Sequence, residues 1–162
     1  VNVYNFYTID LILRTLPLEN GIRDIRRPWK QKFIPLFGKR VSLDRIEHDI
    51  LRKEYEEPRI HFALVCASLS CPALRDKPFT GSGLDEQLTK TATTFLRDTT
   101  RNIITPDAWK LSEIFKWYGD DFNKTYGGYR EYIVTLLELK SAPRNVSFLP
   151  YDWSLNRVDS CE

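Results

Sequence analysis

Residues 59–72 read Arg59-Ile60-His61-Phe62-Ala63-Leu64-Val65-Cys66-Ala67-Ser68-Leu69-Ser70-Cys71-Pro72, an apolar run that empties into a loop of small residues carrying two thiols. A short, unbroken apolar run of this kind reads as a strand buried on both faces. The expectation is therefore a core strand over about 60–66. Side chains on a strand alternate between faces, which puts His61, Ala63 and Val65 on one side and Phe62, Leu64 and Cys66 on the other. Cys66, closing the strand, is expected to be a buried, inert thiol. Cys71 lies past the strand end in a loop, where Pro72 favours extended backbone and where functional groups are commonly mounted.

Outward from this run the chain alternates apolar stripes and caps. Residues 1–16 form an amphipathic helix stopped by Pro17, and Asn2 and Asn5 within it read as amides bonded to a neighbouring loop, because Asn is a poor helix former. Phe33 to Val41 is apolar but contains Pro35, so it is at best an edge strand or an irregular crossing. Ser42 caps a helix to about Lys53, with Leu43, Ile46, Ile50 and Leu51 as its buried stripe. Further helices are expected over 83–97, from Ser112 through Phe122, and over 129–140, with extended segments at 101–105 and 146–153. Trp117-Tyr118 and Tyr151-Asp152-Trp153 read as core and corner packing. The expected fold class is α+β, a single compact domain over 1–162, mostly helical with a small sheet.

The formal charge is +2, from 24 Lys and Arg against 22 Asp and Glu. Such balance argues against nucleic acid or an anionic membrane as partner, and the short basic cluster from Arg23 to Lys32 reads as a solvated loop. No stretch approaches the roughly 18 apolar residues of a membrane span. The chain opens at Val1 and contains no Met, so its N-terminus is expected to be processed or incomplete. Cys161 sits in a polar tail.

Imidazole and thiol are the groups most readily recruited as base, nucleophile or metal ligand near neutral pH. Three readings compete for them. In the first, Cys71 is a nucleophile, His61 its base and His48 the second choice, with Asn5, Asp121 or Asp152 orienting the imidazole. In the second, Cys66 and Cys71 form a disulfide or redox couple across four intervening residues. In the third, His48, His61, Cys66 and Cys71 hold zinc, but the spacing is not that of the usual Cys-x-x-Cys knuckles. No metal and no cofactor is expected.

Several blocks in order carry a family resemblance: Asn2-Val3-Tyr4-Asn5, Pro28-Trp29-Lys30, Ser42-Leu43-Asp44-Arg45-Ile46-Glu47-His48, Pro58-Arg59-Ile60-His61-Phe62-Ala63-Leu64, Ser70-Cys71-Pro72, Leu84-Asp85-Glu86-Gln87-Leu88 and Tyr151-Asp152-Trp153-Ser154-Leu155-Asn156. Together they resemble the domain of unknown function 547, a family of bacteria, plants and other eukaryotes. Many members have Asn where this chain has Val65, and the first block is clipped upstream of Val1. The resemblance implies one recurring unit and supplies no activity. It favours an exported or organelle-lumenal setting over the cytosol, since bacterial members often look exported. Two functions from different classes follow. One is a thiol-dependent hydrolase or transferase acting on a small molecule or peptide. The other is a non-catalytic subunit or scaffold that meets a protein partner through an apolar patch.

Overall fold

A computed structural model describes residues 1–157; Cys161 lies outside the described residues. The fold is α+β, with helices predominating over two small sheets. Helix α1 (Asn2–Thr15) buries Tyr4, Asn5, Thr8, Leu11 and Ile12. A two-stranded antiparallel hairpin follows, β1 (Ile34–Leu36) and β2 (Lys39–Val41), turning at Phe37 and Gly38. Both turn residues have positive φ, 50° and 71°, as a two-residue hairpin turn requires.

The capping expected at Ser42 is present: its hydroxyl accepts from the Arg45 N–H at 3.2 Å. What it opens is a wide π-type helix, Arg45–Leu51, that tightens into the single turn α2 (Arg52–Glu54). π-Type turns are rare and recur at functional sites. Here the wide turn carries Glu47 and His48, and the Arg52 N–H bonds back to the Glu47 carbonyl.

The strand expected over 60–66 is a correction. Pro58–Phe62 winds into a 3₁₀ helix, and the chain then runs irregularly to the thiol loop. The physical reason lies just upstream. Pro58 at the first helical position fixes φ and has no N–H to lose, and the Glu57 carboxylate caps the Arg59 N–H at 3.0 Å. The run is buried all round, as its composition demands, but wound rather than extended. Winding also replaces two-sided alternation. Phe62 enters one apolar cluster, among Phe95, Phe115 and Phe122 at 5.2–5.8 Å. Leu64 enters another, with Tyr4, Ile22, Ile34 and Leu43. The segment is thus the seam between the two halves of the core. Burying Phe62 completely stabilises the fold by about 2–3 kcal/mol.

Helix α3 (Leu84–Arg97) turns Leu88, Ala92, Phe95 and Leu96 inward. The larger sheet is built from β3 (Ile103–Ile104), β4 (Ala108–Ser112) and β5 (Asn145–Leu149), with β4 central, antiparallel to β3 and parallel to β5. Between β4 and β5 lie α4 (Ile114–Trp117), α5 (Gly119–Tyr126) and α6 (Tyr129–Leu136). Trp109 and Leu111 on β4 are fully buried beneath them. Among the described residues, no helix is long and apolar enough to cross a membrane.

Candidate functional site

One cleft of about 350 Å³ collects much of the candidate chemistry. Its walls include Tyr4, Asp44, Glu47, His48, His61, Cys66, Cys71, Tyr118 and Tyr151. The π-type helix, the seam segment, α4 and the C-terminal segment after β5 all contribute.

Asn5 positions the floor. Its Nδ2 donates to the Ala63 carbonyl at 2.8 Å and its Oδ1 accepts from the Val65 N–H at 3.0 Å. It is a buried clamp on the seam backbone and does not bond an imidazole. Past the seam, Ala67 adopts φ 59° in the left-handed region, a conformation that costs a side-chain-bearing residue about 1–2 kcal/mol. The loop is held there by the C-terminal segment: Leu69 N–H to Ser154 O, Ser70 N–H to Asp152 O and Asn156 N–H to Ala67 O, at 2.8–3.2 Å. Asp152 belongs to this tie, its N–H donating to Ser70 Oγ and its Oδ1 accepting from the Ser154 N–H, and among the described residues no hydrogen bond links it to an imidazole.

The two thiols take environments opposite to those expected. Cys71 is the buried one, 2% exposed, its sulfur 3.8 Å from the Leu64 carbonyl oxygen. Burial pushes its pKa up, and the neighbouring Cys66 adds to the rise. Cys66, expected to be buried, is partly exposed at the cleft floor. Its sulfur lies 3.1 Å from Ser68 Oγ and 3.2 Å from Tyr151 Oη, and its own N–H points at the Cys71 sulfur at 2.7 Å. Hydrogen bonding from the Cys71 thiol, with the Ser68 and Tyr151 hydroxyls, overcomes partial burial and brings the Cys66 pKa down to about 6. Tyr151 stays a proton donor, because burial and the two neighbouring sulfurs push its own pKa far up. Both cysteines are free thiols here.

The histidines are also set apart by their partners. His61 stacks on Tyr118, ring centroids 3.8 Å apart, and its Nε2 meets Asp121 Oδ2 at 2.8 Å. Asp121 also receives Arg52 in a two-point contact at 2.6 and 2.9 Å. Burial works to raise its pKa, but His61 and Arg52 hold it well below the usual carboxylate range. Burial dominates at His61 and lowers its pKa, with Asp121 pulling the other way. A carboxylate only accepts, so the proton of neutral His61 sits on Nε2 and Nδ1 keeps its lone pair. His48 is the reverse case. Its Nδ1 lies 3.0 Å from Arg52 Nη1, and a guanidinium only donates. Nδ1 of His48 is therefore the acceptor, and neutral His48 carries its proton on Nε2, 4.0 Å from Asp44. Among the described residues, His61 Nδ1 makes no hydrogen bond, whereas His48 Nδ1 is engaged by Arg52.

Sequence reasoning missed the residues that condition the site. Glu47 is buried and accepts from Tyr4 Oη at 3.1 Å and Tyr118 Oη at 2.8 Å. Ser68 and Tyr151, which flank the thiol, gave no signal in one dimension, although Glu47 at the centre of an apolar helical stripe was a visible anomaly. Trp117, Tyr151 and Trp153, expected as packing, form one wall of the cleft with centroids 4.6–5.9 Å apart. Among the described residues, no group of three or more His, Cys, Asp or Glu side chains is arranged to hold a metal ion. Neither histidine makes a hydrogen bond to either sulfur among the described residues.

An α+β domain with a thiol at the floor of an aromatic cleft is the class these features define. Residues 1–96 match the family described as protein of unknown function, DUF547, more than half of the 162-residue chain, and the chain belongs to that family. The matched part holds Tyr4, Glu47, His48, His61, Cys66 and Cys71, while Tyr118, Asp121 and Tyr151 lie beyond it. No curated protein and no solved structure matches the chain.

Proposed function

We propose that this chain is a thiol-dependent hydrolase or transferase whose attacking atom is the Cys66 sulfur. What carries the reading is a partly exposed sulfur held between two hydroxyls and a second thiol at the floor of a cleft, with its pKa near 6. A thiol of ordinary pKa, about 8.5, is only a few per cent thiolate at pH 7, whereas this one is mostly thiolate. The sulfur attacks an acyl carbon, a C–S bond forms and the bond to the leaving group breaks. The leaving group departs as an anion or takes its proton from solvent, and the thioester then passes its acyl group to water or to an acceptor. His61 Nδ1, in the same cleft and unprotonated, is the base that takes the proton of that water or acceptor, oriented through Nε2 by Asp121. Cys71, first in line from the sequence, becomes the donor that conditions Cys66. Acetyl transfer from p-nitrophenyl acetate tests the assignment. Cys66→Ala is expected to abolish the burst of nitrophenolate and Cys71→Ala only to slow it at pH 7. A burst that survives Cys66→Ala but not Cys71→Ala would return the nucleophile to Cys71.

The second reading, a partner-binding domain, draws on a different surface. Val3, Phe37, Tyr55 and Leu84 are exposed along one groove, Phe37 by 85%. Contiguous apolar surface of this kind favours association. Pull-down with the chain and with Phe37→Ser as baits, beside sedimentation of each alone, is the test: a bound protein that the wild type holds and the substitution loses supports it, and a chain that sediments as a monomer and retains nothing in pull-down removes it.

A further inference from the structure

We propose that the Cys66 cleft binds a guanidinium group of its substrate, an arginine-type side chain laid against Trp117 and Trp153 with Asp44 and Glu47 supplying the counter-charge. For its chemical consequence this rests on the thiol reading above, but the binding itself does not need the thiol.

The argument starts from the charge of the lining. Asp44 and Glu47 both face the cleft, and no lysine or arginine lines it. His61 is held neutral by burial, and a Cys66 thiolate adds further negative charge. Arg52 stands just behind, over the Tyr118 ring at 5.1 Å, but its guanidinium is bound at two points by Asp121. Asp44 is the less satisfied carboxylate. His48 Nε2 stands 4.0 Å from it, beyond hydrogen-bond distance, and its side chain remains 31% exposed. A small cleft with low-dielectric walls concentrates such a field and selects cations.

The walls supply the second half. Trp117 is 42% exposed and lies nearly parallel to Trp153, interplanar angle 25°. An indole face is the best aromatic platform for a cation, and a planar guanidinium stacks on it where a spherical ammonium cannot. The chain already makes this contact once: the Arg23 guanidinium carbon stands 5.6 Å from the Trp153 ring centroid. The volume of about 350 Å³ is at the low end for ligand pockets and suits one long side chain better than a large cofactor.

Tryptophan fluorescence titration compares L-arginine amide with L-citrulline amide, which keeps the shape and replaces guanidinium by neutral urea. Arginine amide is expected to bind about tenfold more tightly or better, in wild type and in Cys66→Ala alike, and to weaken with added salt. Trp117→Ala and Asp44→Asn, each checked for an unchanged circular dichroism spectrum, should each cost about three- to tenfold for arginine amide and little for citrulline amide. Equal affinity for the two amides, no saturable binding of arginine amide, or undiminished preference in both variants overturns the proposal. A Cys66→Ala protein that keeps the arginine preference while losing acetyl transfer supports both readings. A wild type that prefers arginine but has an ordinary Cys66 pKa supports this one and removes the other.

Discussion

Replacing Tyr151 by Phe removes one hydroxyl from the Cys66 sulfur, 3.2 Å away, and nothing else from the ring. A hydrogen bond to a charged group is worth about 1.5–3 kcal/mol, and 1.36 kcal/mol corresponds to one pH unit of midpoint. The Cys66 titration should therefore move from about 6 to about 7–8 in Tyr151→Phe. The observable matters, because rate alone misleads. Lowering a thiol from about 8.5 to 6 raises its thiolate fraction at pH 7 about thirtyfold, yet intrinsic nucleophilicity falls with pKa and gives back about tenfold of that. The midpoint is free of this compensation. Iodoacetamide labelling between pH 4.5 and 10, with peptide mass spectrometry to separate Cys66, Cys71 and Cys161, reads it directly. Wild type should label Cys66 first, half-maximally near pH 6, with Cys71 nearly silent. A wild-type midpoint near 8.5, a midpoint that Tyr151→Phe leaves in place, or faster labelling of Cys71 would refute the reasoning.

Three further outcomes follow from the packing and charge. Asn5→Ala strands the Val65 N–H and the Ala63 carbonyl in a buried site, which should cost about 2–4 kcal/mol in urea unfolding; Asn5→Asp should not rescue it, since a carboxylate cannot donate to Ala63, and a loss below 1 kcal/mol would show the clamp is idle. Asp121→Ala leaves Arg52 and His61 without their shared acceptor and should cost about 2–4 kcal/mol, with a drop in the His61 titration seen by NMR as the distinguishing sign. Cys66 has its folded pKa below the unfolded one, so its stabilisation is present above about pH 8.5 and is lost as pH falls toward 6, and buried His61 adds a loss of the same sign below about 6.5. Melting temperature should thus fall from pH 8 to pH 5.5, and Cys66→Ser should flatten the upper part of that slope; an identical slope in the variant argues against a perturbed thiol.

The helices were legible because their signals are local. Apolar spacing and Pro17 place a helix over 1–16, found as Asn2–Thr15, and the Ser42 and Ser112 hydroxyls at the expected helix starts both accept from a nearby N–H. The seam was not, because an apolar run of seven residues has the same composition whether wound or extended. The discriminating signs were Glu57 and Pro58 in front of it, a cap and a first-turn proline. The central strand β4 was missed for a related reason. Its pattern Ala108-Trp109-Lys110-Leu111-Ser112 is short, and its identity comes from β5, whose partners lie some 37 positions later, as in Trp109 with Val146. At the site, the candidate residue types were visible but the roles of the two cysteines were not. Those roles depend on Tyr151, 85 positions from Cys66, and on a loop that turns at Ala67 instead of continuing a strand.

That separation has a bearing on how the protein is made. The chain leaves the ribosome from its N-terminus at about 5–20 residues per second, so Cys66 is exposed for about 4–17 s before Tyr151 has been added. During that interval the sulfur has neither its Tyr151 hydroxyl nor the backbone tie from 152–156, and it titrates as an ordinary cysteine, mostly protonated at neutral pH. The lowered pKa arrives only when the last segment docks, so that a copy truncated before Tyr151 keeps a thiol of ordinary pKa.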